Sequence, residues 1–128
     1  HAFYRGTRKR KNKKYTCNTM LKAVLDDNKN IELGEFTKPC KKTHYKGYMV
    51  VDKENTYHFY RQDKNGRWSH KQGTLPVENI DASNNPIYVP HLADKNYNKQ
   101  RKKDGINYDQ ECNYMCIPNN KWGETYAI

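Results

Sequence analysis

His58 and His70 are the side chains with the most chemical promise, two imidazoles twelve positions apart in the aromatic-rich runs TYHFYR (56–61) and RWSHK (67–71). An imidazole titrates near neutrality, and one oriented by a polar neighbour is a common general base. If the two runs pair as a hairpin, one face of it can carry both rings. Two histidines in a tyrosine-rich sheet can equally well pack and hydrogen-bond with no reaction to perform. The thiols are Cys17, Cys40, Cys112 and Cys116. Cys17 falls at a helix start, where the helix dipole and nearby basic residues would lower a thiol pKa, so it is a candidate nucleophile as well as a candidate structural cysteine. The gaps of 22, 71 and three residues between the cysteines match no familiar zinc finger or ribbon, and no metal or cofactor is expected. Reduced thiols and disulfides both remain open. Cys17–Cys40 is a plausible staple from helix to loop, with Cys112–Cys116 a tight local bridge if the strand between them bends. A regular strand would hold those two on one face but too far apart to bond, so Cys17 and Cys40 pairing with Cys112 and Cys116 in either order is as good a reading.

These groups need a scaffold. Thr16 or Asn18 can cap a helix over 18–28 with Met20, Leu21, Val24 and Leu25 on one face. Residues 29–44 read as irregular. Tyr45–Val51, Thr56–Arg61 and Arg67–Lys71 read as three strands, the last two joined by a turn at Asn65-Gly66. The chain is loop-rich from 72 to 110, with short strands possible at 77–80 and 87–89. A final strand is expected at Tyr114–Ile117, ended by Pro118. Met20, Met49 and Met115 read as core fillers, and His44 and His91 as solvated loop residues. The expected fold is α+β, one N-terminal helix packed on a small antiparallel β-meander.

Composition narrows the setting. The chain has 128 residues and a formal charge of +10, enough for one domain. Leu, Ile, Val and Phe number only 19, a poor core that eleven Tyr and two Trp must supplement. Residues 5–14 hold seven cations and no acid: Arg5, Arg8, Lys9, Arg10, Lys11, Lys13 and Lys14. The rest has 17 basic and 14 acidic residues, a charge of only +3. A second short run is Lys99, Arg101, Lys102 and Lys103. The reading is therefore a basic arm (1–14), one domain (15–118) and a tail (119–128), the arm suited to phosphates or acidic surfaces. No apolar run is long enough to span a bilayer, and no N-x-S/T sequon occurs.

The block YHFYRQDKNGRWSHKQG, followed by VENIDAS, NPIYVPHLAD and NY, resembles a largely uncharacterised family of bacteria and large DNA viruses. That family carries an HFYRQD-x-x-G-x-WSHK-x-G signature and a downstream Asp motif. It often ends in a Cys-x-Tyr-x-Cys-like strand, which CNYMC approximates. The resemblance covers residues 15–118, and the family is similar to papain-like, NlpC-type cysteine hydrolases. It implies a papain-like-related fold with His58 as base, His70 as its orienting partner, Trp68 as a pocket wall and Asp81 as a loop anchor. The family's Asn-Cys-Tyr-like nucleophile motif is missing, since no Cys precedes Cys17. The nucleophile is then lost, upstream of His1, or Cys17 itself.

Three functions follow as expectations. The first is a virion structural protein, a minor capsid or DNA-associated shell component located in the virion. Its arm would meet other virion proteins or packaged nucleic acid. The second is a cysteine peptidase or amidase, with host cytoplasm as an alternative location. The third is a single-stranded nucleic-acid-binding module stacking bases on Tyr57, Phe59, Tyr60 and Trp68, flanked by Arg61 and Arg67.

Overall fold

A computed structural model describes residues 16–52, 56–71, 76–97 and 106–119. The basic arm, the 99–103 cluster and the tail beyond Asn119 lie outside the described residues. The chain forms α1 (Cys17–Asp27), β1 (Glu32–Gly34), β2 (His44–Asp52), β3 (Thr56–Gln62), β4 (Trp68–Lys71), β5 (Val77–Glu78) and β6 (Gln110–Pro118), with a 3-10 turn at Pro90–Leu92. The strands make one antiparallel sheet in the order β1-β6-β2-β3-β4-β5. The expected α+β, papain-like-related fold is thereby corrected to a small β-rich domain. Among the described residues six strands carry most of the regular structure, beside the eleven-residue α1 and a short 3-10 turn. The physical reason lies in strand pairing that local pattern does not show. β1 forms from residues read as irregular, and β6 begins at Gln110, four residues before the expected strand, so strands outweigh the single α1. Nor is the sheet a simple meander, because β6 inserts between β1 and β2.

Local chemistry accounts for the elements. The Thr16 side chain caps α1 by accepting the amide N–H of Thr19 at 3.2 Å. Asn28 closes the other end by donating its side-chain amide to the carbonyl of Val24 at 2.8 Å. Gly66 adopts φ +88°, the left-handed conformation that the β3–β4 turn requires and that glycine takes without strain. β1 lies where the sequence reads as irregular. Its three residues, Glu-Leu-Gly, are too few to show alternation, and only pairing with β6 makes them a strand.

The sheet has a core on each face. On one, Met20, Ala23 and Val24 of α1 pack with Met49, Val51, Tyr57, Phe59, Met115 and Ile117. On the other, Tyr48, Val50, Tyr60, Trp68 and Tyr114 are covered by loops that contribute Ala82, Ile87, Tyr97 and Tyr108. Side-chain caps hold these loops. Asp81 accepts the amides of Ser83, Asn85 and Asp94, and Asp52 accepts that of Asn107. Buried Lys95 donates to the carbonyls of Pro90 and Ala93, both at 2.7 Å, and pairs with Glu111 at 3.1 Å. Among the described residues, no helix is long and apolar enough to cross a membrane.

All four cysteines are joined in disulfides, Cys17–Cys112 and Cys40–Cys116. The regular-strand expectation for Cys112 and Cys116 fails at a bulge. The β2–β6 register runs Tyr48↔Tyr114 but then Val50↔Glu111, one residue out of step. That extra residue turns Cys112 to the helix side, where it packs with Cys17, while Cys116 stays in step with Tyr114 on the other face. Each bond closes a long loop, with sequence separations of 95 and 76. In the chain-entropy account a loop of this size stabilises by about 4 kcal/mol. Cys17→Ser with Cys112→Ser should therefore lower the unfolding free energy by about 2–5 kcal/mol, measured by urea denaturation without reductant. An unchanged midpoint would show that the bond constrains nothing.

Candidate functional site

β3 and β4 bring the two histidines together. Arg61 pairs with Ser69 and Gln62 with Trp68, so His58 and His70 fall on one face as diagonal neighbours. The side-chain nitrogens His58 Nε2 and His70 Nδ1 are 2.9 Å apart. His70 Nε2 lies 3.0 Å from the carbonyl oxygen of Ile80. A carbonyl can only accept, so His70 carries its proton on Nε2 and donates it there. The Nδ1 of neutral His70 then accepts the Nε2–H of His58. Tyr97 Oη, at 3.5 Å, and Glu78 Oε1, at 4.0 Å, also lie near His70 Nε2.

Such a chain fixes a proton's position, the arrangement a general base needs. Both rings, however, are interior groups, 4% and 0% exposed. His58 stacks on Tyr108 with centroids 4.9 Å apart and meets Tyr60 edge-on at 5.2 Å. The dyad is thus part of the loop-side core, and through Ile80 it ties a loop to β4. Replacing His70 by Ala would leave the Ile80 carbonyl and the His58 N–H without their shared partner and open a cavity. We expect His70→Ala to cost about 3 kcal/mol in urea denaturation, and Lys64→Ala, at an exposed turn position, to cost little.

The other candidates are placed elsewhere. Cys17 cannot be a nucleophile in this state, because its sulfur is bonded to Cys112. It also packs on the helix side of the sheet, whereas His58 and His70 belong to the opposite face. Trp68 is fully buried beside Tyr114, a core residue where a pocket wall was expected. The stacking platform fails for the same reason, since Tyr57, Phe59, Tyr60 and Trp68 are all buried. Asp81 is 8% exposed and holds three backbone amides of its loop. His91 is no idle loop residue, for its Nδ1 lies 2.7 Å from the hydroxyl of Tyr114. His44 lies on β2, its ring held between Thr43 Oγ1 and the Asn30 carbonyl. The three methionines are at most 1% exposed. Among the described residues, no group of three or more His, Cys, Asp or Glu is placed to hold a metal ion.

The electrostatics of this core are those of buried phenols. Burial pushes Tyr45 up to about 12, against the opposing charge of Arg61. Burial also pushes Tyr114 up to about 12, with the His91 contact opposing it. Burial first, then the Glu111 carboxylate at 2.6 Å, raises Tyr48. Tyr60 and Tyr97 are raised mainly by burial as well. Among the described residues, the hydroxyl of Tyr45 and the indole N–H of Trp68 are buried without a hydrogen-bond partner, while the Tyr60 hydroxyl faces that of Tyr97. A raised folded-state pKa gives stability that is complete below the unfolded value and is lost as pH climbs through the folded one. For Tyr45 and Tyr114 that window runs from 10.0 to about 12. Absorbance titration at 295 nm should show these phenols ionising only as the domain unfolds, in a steep transition above pH 10. Smooth ionisation near pH 10 of every tyrosine in a still-folded protein would contradict this burial.

What the sequence reading passed over is a trough at the end of the sheet where Tyr45 of β2, Arg61 of β3 and Ser69 of β4 lie. It has a volume of about 580 Å³ and is lined by Tyr45, Arg61, Asp63, Lys64, Ser69 and Asn119, among others. The Arg61 guanidinium lies 4.2 Å above the ring centre of Tyr45. The Ser69 hydroxyl donates to Asp63 Oδ1 at 2.9 Å. Gly47, opposite Arg61 in register, leaves the space that Ile117 fills, since a Cβ there would come within 2.6 Å of Ile117 Cδ1. A glycine inside a strand was the available signal for such close approach.

Over 47 residues the chain is 49% identical to insoluble matrix shell protein 1 of Ruditapes philippinarum. That stretch is 37% of this chain and 32% of the shell protein, so the chain spans about a third of its relative's length. No protein-family model matches the chain, and no solved structure matches it.

Proposed function

We propose that this chain is a structural component of an insoluble extracellular matrix, a disulfide-stapled β-rich module that attaches to acidic matrix material. The similarity to insoluble matrix shell protein 1 carries the reading. Three features support it. Two long-range disulfides suit an oxidising, extracellular setting. The two histidines with most chemical promise serve the core. The arm at residues 5–14 adds seven positive charges to a nearly balanced body, a means of adhering to an acidic surface. A virion shell, with the arm against packaged nucleic acid, is the finer setting that the motif resemblance proposes. The similarity to a shell matrix protein favours the matrix setting over it.

Fractionation tests the proposal. In the source material, the chain should stay in the residue left by dilute-acid demineralisation and by salt and detergent extraction, and should be detected there by peptide mass spectrometry. Recovery only in the soluble extract would overturn the matrix reading. Recovery in purified virus particles would put the virion setting first.

A further inference from the structure

We infer that Tyr88 is an oxidative coupling site, through which two copies of this chain are joined covalently, ring to ring, as a dityrosine. The inference rests on the matrix reading for its setting and adds the chemistry that would fix the module there. Accessibility carries it. Among the described residues, seven tyrosines are at most 9% exposed and Tyr88 is 56% exposed. The burial that pushes Tyr45 and Tyr114 up to about 12 also keeps a second ring from reaching theirs. Other described side chains that lose electrons readily are withdrawn as well. Trp68 and the three methionines are at most 1% exposed, and all four cysteines are spent in disulfides. An oxidant meeting the described surface therefore finds one phenol and little else to attack.

The backbone holds that phenol outward. Ile87, one residue before it, is 1% exposed. The Ile87 carbonyl accepts the Trp68 N–H at 3.0 Å, and the Ile87 N–H donates to the Asn79 carbonyl at 3.3 Å. Pro90, two residues after Tyr88, is buried at the start of the 3-10 turn. Tyr88 thus stands on a segment clamped to β4. The Arg67 guanidinium lies 5.1 Å from its ring centre, a cation–π contact that steadies the ring and still leaves more than half of the residue open to solvent. Hydrogen peroxide, acting through a haem peroxidase, is the oxidant. One electron and one proton leave each of two Tyr88 phenols. The two phenoxyl radicals combine by a carbon–carbon bond between positions ortho to the oxygens. Each ring then loses its ortho proton and regains a proton on oxygen, so two phenols and one peroxide give one dityrosine and two waters. Such radicals combine on encounter, and a reachable ring edge is enough without a shaped interface. A pair joined this way carries two basic arms at residues 5–14 and can bridge two acidic polymers.

The test treats the folded full chain with a haem peroxidase and limiting hydrogen peroxide. Dityrosine fluorescence, covalent dimer on a reducing gel and tryptic peptides in the mass spectrometer are the readouts. Tyr88 is the single tyrosine of the tryptic peptide 72–95, which makes its cross-link identifiable, and we expect that peptide joined to its own copy. Tyr88→Phe keeps the ring beside Arg67 and removes only an exposed hydroxyl. It should lower the dimer yield about sixfold, the ratio of the Tyr88 exposure to that of Tyr114, the most exposed of the other described tyrosines. In urea the gap between variant and wild type should close, since every ring is then exposed. Wild-type dimer yield in the folded variant, cross-links at Tyr4, Tyr15 or Tyr126 in place of Tyr88, hydroxylation of Tyr88 without coupling, or a gap that persists in urea would each overturn the inference. Failure here is distinguishable from failure of the matrix reading. An insoluble residue that holds the chain with peptide 72–95 wholly uncoupled would sink the coupling and leave the matrix reading standing.

Discussion

Both disulfides end on β6, and β6 lies between β1 and β2. The rest of the domain depends on that placement. Without β6, β1 has no partner, the Met115 and Ile117 part of the helix-side core is missing, and Tyr48 loses its Glu111 acceptor. The first and last described segments must therefore meet before the sheet is whole, which gives the fold a high proportion of long-range contacts and predisposes it to slow folding. Once formed, the disulfides make that meeting permanent, in a chain whose aliphatic content alone is too small for a confident core.

The two faces of the sheet are finished by different means. Apolar side chains of one helix close the first. The second is closed by irregular segments, which must satisfy their own backbone groups, and side chains of Asp52, Asp81, Lys95 and His70 do so one amide or carbonyl at a time. The aromatic residues between them pack large rings while burying polar tips, and two such tips, on Tyr45 and Trp68, find no partner among the described residues. The His58–His70 pair fits this pattern. It looks like a catalytic fragment in sequence and functions as a cross-tie between a strand and a loop.

Much of the framework was legible. Thr16 marks the helix start, Asn65-Gly66 marks the turn, and the aromatic and β-branched runs at 45–51 and 56–61 mark the central strands, because each signal rests on local sterics or capping. The weight of the architecture was not. An α+β expectation gave the helix a share that six strands take, and a papain-like relation does not describe this sheet. β1 is too short to carry a pattern, and the bulge near Cys112 exists only in relation to the register of β2. Alternation reveals that Trp68 and His70 share a face. It cannot reveal that loops from 79 to 97 will cover that face, and so turn a presumed pocket wall into core. The trough escaped notice because its cations, Arg61 and Lys64, read singly as ordinary surface charge.

The bond between Cys17 and Cys112 has a mechanical consequence. Tension applied between the two ends of the chain passes along the residues before Cys17, across the sulfur bridge, and out through the residues after Cys112. The stretch between the two cysteines, β1 to β5, is bypassed, and the load leaves instead through Tyr114–Pro118 of β6, the strand that the other bridge ties to Cys40. The part of the sheet enclosed by the first bridge cannot be drawn out to its full length while the bond holds. What force can reach is the outer end of β6, where Met115 and Ile117 enter the core and Cys116 anchors the strand.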